Sequence, residues 1–231
     1  MQETATARVA GFQRTKLYDL LAALPLVAWY LFGLARQMPL TLIRVQELTT
    51  GTITTLAFLQ LIALAGSMFL ILVLILLLIT RKTPEFKTCG LLPRTVALGG
   101  AFLGNGFLYL KAVALSLPAQ ALADLLIIGG AAGSLVAVSG LRGAFSVMPE
   151  ARSLVTSGPY AIVRHPLYLA EMIGIAGLVL QFQQPWAGML GIAVGVLQYW
   201  RTEFEERVLT AAYPEYVAYR TRTRRFIPYL F

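Results

Sequence analysis

Three short stretches in the last third of the chain bring together residue types that can do chemistry. The first is Ser157-Gly158-Pro159-Tyr160-Ala161-Ile162-Val163-Arg164-His165-Pro166-Leu167-Tyr168. Gly-Pro makes a turn, because proline fixes its own φ. Pro166 favours extended backbone at His165 and suits the first turn of a following helix. Arg164 and His165 are therefore displayed on a loop just ahead of a helix, whose free N–H groups and positive dipole end suit an anion. His165 can donate or accept a hydrogen bond near neutral pH. Arg, His and Tyr also form belts at membrane interfaces, so this stretch alone leaves site chemistry and anchoring level.

The second stretch is Arg201-Thr202-Glu203-Phe204-Glu205-Glu206-Arg207. On a helix Arg201 and Glu205 are four apart and can pair, while Glu206 points about 100° away from Glu205. Adjacent carboxylates at the end of an apolar helix are costly unless solvated, paired or holding a ligand. A solvated amphipathic helix on a membrane face is the plainer reading. The third stretch runs Tyr213-Pro214-Glu215-Tyr216-Val217-Ala218-Tyr219-Arg220, then Arg222, Arg224, Arg225 and Phe226. Aromatics interleaved with arginine suit nucleic acid or an anionic leaflet; beside apolar spans the leaflet is favoured, and nucleic acid is not expected. Tyr216 and Tyr219, three apart, are placed to close a pocket.

The elements that position these stretches belong in a bilayer. Of 231 residues, 58% are apolar and 13% charged, against roughly 25% charged in soluble proteins. Mean hydropathy is +0.71. One cysteine, Cys89, excludes an internal disulfide, and one histidine, His165, excludes a multi-His metal site, so no metal is expected. A span needs about 20 apolar residues. Six are expected: 17–35, 53–80, 95–117, 121–141, 167–181 and 186–200, the last two a hairpin joined by Phe182-Gln183-Gln184-Pro185. An amphipathic helix at 201–212 and an arginine-rich tail follow. The predicted fold is an all-α transmembrane bundle forming one domain, with 1–80 as two leading helices and 85–231 as a core. Residues 1–16 are polar and no small-residue cleavage site follows the first apolar block, so no cleavable signal is expected.

With six spans, 16 of the 19 Lys and Arg residues fall on one side. The positive-inside rule then puts both termini in the cytoplasm, with the bilayer itself as a partner. Lys111 and Asp124, flanking an expected Leu117–Gln120 turn, are expected to pair or snorkel. Glu171 carries a carboxylate into an apolar helix one turn past the first stretch.

Taken together and in order, the three stretches resemble the isoprenylcysteine carboxyl methyltransferase and phospholipid methyltransferase superfamily. The matching residues are Gly158-Pro159-Tyr160, Arg164-His165-Pro166-Leu167-Tyr168, Arg201, Glu203, Glu205-Glu206, and Glu215-Tyr216 with Tyr219. The likeness covers roughly residues 85–231. It implies methyl transfer from S-adenosylmethionine to a lipophilic acceptor at the membrane–cytosol boundary, in a cytoplasmic pocket. Carried over, Tyr160, Arg164, His165, Pro166, Leu167 and Tyr168 hold the cofactor, Glu206 meets its amino group, and Arg201 and Glu205 stand nearest the acceptor as the catalytic pair. That acceptor is a carboxylate, a phospholipid amine or a small thiol. Two positions depart from the pattern: Ala170 where many relatives have Gly, and Phe204 where some have an acidic residue. The runner-up readings are a sterol-type membrane reductase using NADPH, whose Arg-His-Pro block usually continues with Asn rather than Leu167, and a non-catalytic membrane subunit.

Overall fold

The structure is a computed structural model, described for residues 6–228. It is 74% helical. After a short strand β1 (Thr6–Arg8), α1 runs Lys16–Thr49, its start capped by the Thr15 side chain, which accepts from the Tyr18 amide. α1 is longer than the expected 17–35, passing through Pro25 and Pro39. Its added turns place Arg44 where it reaches Glu47 on the same helix at 2.7 Å and Gln60 on the following helix at 3.0 Å. α2 (Thr55–Thr80) matches the strongest apolar block and is capped by Thr54.

Strand β2 (Phe86–Thr88) follows, then α3 (Leu91–Phe102). Here the expected 95–117 span gives way. α3 ends after 12 residues and continues as a 3-10 stretch over Leu103–Tyr109. Gly104-Asn105-Gly106 supplies the reason, since these residues favour turns over helix interiors. Residues 111–113 then pair with the α5–α6 connection, Val113 N–H donating to Gln181 O at 3.0 Å and Gln183 N–H to Lys111 O at 3.0 Å. α4 (Leu117–Leu141) begins at the Leu117–Gln120 segment expected as a turn, because Pro118 fits the first turn of a helix.

Strand β3 (Glu150–Ala151) completes a three-stranded antiparallel sheet in the order β1-β2-β3, which the all-α expectation lacked. α5 (Pro166–Gln181) starts at Pro166 as expected. α6 (Trp186–Ala212) runs without a break through the point where a separate amphipathic helix was expected at 201. α7 (Glu215–Arg222) leads into the tail. Three helices among the described residues are long and apolar enough to cross a membrane: α1, α2 and α4 with its extension to Ala144. α5 is apolar but shorter.

α4 and α5 pack backbone to backbone. A Cβ on Gly130 would lie 2.5 Å from the Gly174 nitrogen, and one on Gly177 2.6 Å from the Ala123 carbonyl. Small residues at such contacts let membrane helices approach closely. The Ala170 departure is accommodated here too: the facing residue is Gly133, whose added Cβ would stand 3.0 Å from the Ala170 Cβ. The core joins Ala23 and Leu26 of α1, Leu74 and Leu78 of α2, Ala137 and Val138 of α4, and Phe145, Val147 and Leu167.

The leading helices are also tied in by charge. Buried Asp19 accepts from Arg81 Nε and Nη2, each at 3.0 Å, and from Arg152 Nη2 at 2.7 Å, while Arg152 also reaches Glu150 at 2.6 Å. Asp124 is buried, but it takes the side-chain amides of Gln120 and Gln181 instead of Lys111. Among the described residues the Lys111–Asp124 ion pair does not form, because Lys111 sits on the extended segment and points to the exposed surface.

Candidate active site

The Arg-His-Pro loop and the C-terminal tail are laced together by backbone. Arg164 N–H donates to Arg224 O at 2.8 Å and His165 N–H to Arg225 O at 3.0 Å. The Tyr219 hydroxyl donates to Tyr160 O at 2.6 Å, and Arg164 Nη1 reaches Thr223 O and Arg220 O. The segment 213–228 thus forms a strap over the loop.

Under the strap lies Glu206, 3% exposed. It accepts from Arg164 Nε at 2.9 Å, from His165 Nε2 at 3.1 Å and from Arg225 Nε and Nη2 at 3.2 Å each. Arg220 adds an ion pair at 3.5 Å. Burial by itself would raise this carboxyl's pKa. The hydrogen bond and charge of His165, then those of Arg164, outweigh it and hold the group down at about 2. Arg225 also pairs with Glu203 at 2.6 Å.

Glu205, one residue earlier, faces the other way. It accepts from the Tyr168 hydroxyl at 2.5 Å and stands 3.6 Å from His165 Nδ1. The i, i+4 pairing of Arg201 with Glu205 is not formed among the described residues. The Arg201 guanidinium lies 4.7 Å over the Tyr168 ring, and its terminal nitrogens donate to Gln198 Oε1 at 2.8 Å and Val147 O at 3.3 Å. Gln198 in turn donates to Glu171 Oε2 at 2.5 Å. Gly100 of α3 makes room for this arrangement, since a Cβ there would lie 2.4 Å from Arg201 Cδ.

A cavity of about 340 Å³ connects these groups. At one end stand Tyr160, Arg164, His165, Glu205, Tyr216 and Tyr219; at the other, Leu70, Leu74, Ile127, Ala131, Ile175 and Leu178. The lining on α5 extends from Leu167 to Leu178, about 16 Å of helix axis. Of the site residues expected from the sequence, Tyr160, Arg164, His165, Leu167, Tyr168, Arg201 and Glu205 line it. Pro166 and Glu206 do not: Pro166 starts the helix, and Glu206 is turned into the cations beneath the strap. Nothing in the residue pattern marks Gly100, Gln198 or Tyr30 as wall residues, and Arg225 is indistinguishable in sequence from the exposed arginines beside it. Burial singles out Gly100, Gln198 and Arg225, and the cavity lining singles out Tyr30.

The hydroxyls of Tyr160 and Tyr216 are buried with no hydrogen-bond partner in the protein, and both residues line the polar end of the cavity. Burial raises both pKa values, with Glu205 adding to the shift at Tyr160 and Glu206 at Tyr216, so both stay protonated donors. Orphaned buried hydroxyls point to a polar ligand. No group of three His, Cys, Asp or Glu side chains suited to a metal occurs among the described residues.

Comparison with known proteins meets this region. The chain is 38% identical over 79 residues to the cobalt-zinc-cadmium resistance protein CzcN of Cupriavidus metallidurans, covering 34% of this chain and 37% of that relative. It is 34% identical over 82 residues to the nickel-cobalt-cadmium resistance protein NccN of Alcaligenes xylosoxydans xylosoxydans, covering 35% and 38%. The matches therefore span under two-fifths of either relative. Residues 118–216, which carry α4, the Arg-His-Pro loop, the α5–α6 hairpin and the Glu205-Glu206 pair, match the phospholipid methyltransferase family. Over that stretch the chain is similar to the phospholipid methyltransferase family, part of the isoprenylcysteine carboxyl methyltransferase-like superfamily of membrane methyltransferases.

Proposed function

We propose that this protein is an integral-membrane methyltransferase that transfers a methyl group from S-adenosylmethionine to a lipophilic acceptor. The observation that carries this reading is the single cavity that joins a polar, arginine- and tyrosine-lined end to an apolar channel between α2, α4 and α5. A water-soluble cofactor and a lipid tail need such opposite walls in one space. The topology that suits it is six crossings with both termini cytoplasmic, the shorter α5 and the apolar half of α6 forming the last hairpin.

The residues present fit the cofactor. Tyr160 and Tyr216 offer unused hydroxyl donors, and Glu205 offers a carboxylate on the cavity wall. Tyr160, Arg164, His165, Leu167 and Tyr168 would hold it, with Tyr219 and the strap closing over the loop. A sulfonium donor supplies an already activated methyl group, so the protein's contribution is alignment and exclusion of water. Arg201 and Glu205 stand on the acceptor side. Glu206 acts as a positioning residue, fixing Arg164, His165 and Arg225.

Calorimetry on detergent-purified protein tests the reading. S-adenosylmethionine is expected to bind the wild type, and His165→Ala to weaken it by about tenfold or more. Binding of NADPH in place of S-adenosylmethionine would overturn the assignment.

A further inference from the structure

The three membrane-length helices meet at one boundary with cations at their ends. Lys16 opens α1, Arg81 and Lys82 follow α2, and Arg142 follows α4. Backbone groups stitch these residues together. Lys16 Nζ donates to Arg81 O at 2.6 Å, and Lys82 N–H donates to Gly143 O at 2.9 Å. Arg152 donates to Lys82 O, so Lys82 is pinned through both of its backbone groups. Its methylene stem lies along Gly143, where an added Cβ would stand 3.1 Å from Lys82 Cγ.

Charge does not balance here. Lys16, Arg81, Lys82, Arg142 and Arg152 share two carboxylates, Asp19 and Glu150, and Arg81 and Arg152 engage both of them. Lys16 stands 3.8 Å from Asp19 with its side chain 43% exposed. Lys82 and Arg142 are exposed, and their side chains have no hydrogen-bond or ion-pair partner among the described residues. Glu85, three positions after Lys82, pairs with none of these cations. Arg142 also takes a φ of 46° at the end of α4. Glycine adopts that region freely and a longer side chain is strained there. The turn itself therefore gives no reason for a guanidinium.

Three converging cations suit a phosphate, and their depth decides its source. They stand where α1, α2 and α4 leave the apolar region. Within two turns of them, exposed Leu17 and Leu21 of α1 and Leu76 and Ile79 of α2 offer hydrocarbon surface to acyl chains. Basic pockets between membrane helices suit anionic headgroups in this way. The cavity is separate: Leu141 and Ala144 line it, whereas Lys16, Lys82, Arg142 and Gly143 do not.

We propose that Lys16, Lys82 and Arg142 bind the phosphate of an anionic phospholipid at the junction of α1, α2 and α4, outside the cavity. This lipid is a bound structural ligand and not the methyl acceptor, so the site stands apart from the reaction proposed above. By holding Arg142, it steadies the turn between Leu141 and Ala144 in the cavity wall.

The test titrates the full chain in nonionic micelles with phosphatidylglycerol and reads apparent affinity from the rise in thermal midpoint. Phosphatidylcholine with the same acyl chains, which carries no net charge, is expected to stabilise far less. Lys82→Gln/Arg142→Gln is expected to weaken phosphatidylglycerol binding by about tenfold or more, because two charge-assisted contacts to one phosphate are lost. Arg222→Gln/Arg224→Gln removes the same charge from the exposed tail and is expected to change binding by less than about twofold. Arg142→Gly separates binding from folding. Its midpoint without lipid is expected to match or exceed that of the wild type, since the strain is relieved, while its affinity for phosphatidylglycerol falls by about threefold or more. Inorganic phosphate at the same phosphate concentration is expected to give no shift. Equal losses in the two double variants, wild-type affinity in Arg142→Gly, or equal stabilisation by phosphatidylcholine overturns the proposal. A matching shift with inorganic phosphate overturns it too, since the site would then take a free anion.

Discussion

Glu206→Gln isolates what the buried carboxylate does. In the wild type it faces Arg164, His165 and Arg225 within 3.2 Å and is 3% exposed. Glutamine keeps one acceptor oxygen but turns an NH₂ toward Arg164, which pairs with no other carboxylate among the described residues, and leaves Arg225 with Glu203 alone. Removing one partner from a buried ion cluster costs about 3–5 kcal/mol. The loop and strap share the cluster, so that cost falls on their docking. At 1.4 kcal/mol per tenfold, even the lower figure raises strap opening by about 100-fold. Hydrogen exchange at the Arg164 and His165 amides reads this directly, because both donate to strap carbonyls, and local opening sets their protection. Protection is expected to drop by about two orders of magnitude in Glu206→Gln and by less than about threefold in Glu205→Gln, which removes a carboxylate outside the cluster. The acid titration has a defined sign. A folded-state pKa of about 2 against an ordinary 4.5 means the contribution is complete above pH 4.5 and drains away as pH falls toward 2. The wild type should lose thermal stability across that window more steeply than Glu206→Gln. Equal protection in the two proteins, or parallel acid profiles, would refute the reasoning.

Two further outcomes follow from the packing. Asp19→Asn leaves Arg81 and Arg152 buried without a full counter-charge; a loss of about 3–5 kcal/mol is expected, read as a thermal midpoint lowered by several degrees in detergent. Gly100→Ala puts a methyl 2.4 Å from Arg201 Cδ. Overpacking there costs about 1–3 kcal/mol, and the displaced Arg201 should slow methyl transfer more than it weakens S-adenosylmethionine binding; equal effects on both would remove Arg201 from the acceptor end.

The sequence by itself pointed to a helical membrane protein and to the family whose model matches residues 118–216. Long apolar blocks, sparse charge and three ordered motifs are local properties that no tertiary arrangement has to supply. It also placed the start of α5 correctly, because Pro166 acts on its own backbone and that of His165. The interruption of the expected third span was written in Gly104-Asn105-Gly106, but hydropathy averaged over it. The small sheet was out of reach: its strands are two or three residues long and are defined by partners up to 82 positions apart in the chain, Thr6 with Thr88.

Tertiary structure decided the rest of the site. Adjacent in sequence, Glu205 and Glu206 look alike. Their opposite roles come from the helix turn between them, which sends one to the cavity wall and the other under a strap of arginines. Arg225 differs from Arg222 and Arg224 only in being buried. Glu171 acquires a partner only when Gln198, 27 positions later, closes on one of its oxygens at the cavity wall. Charge type is a property of a residue, but whether that charge is neutralised, buried or presented to a ligand depends on neighbours that the fold alone brings within reach.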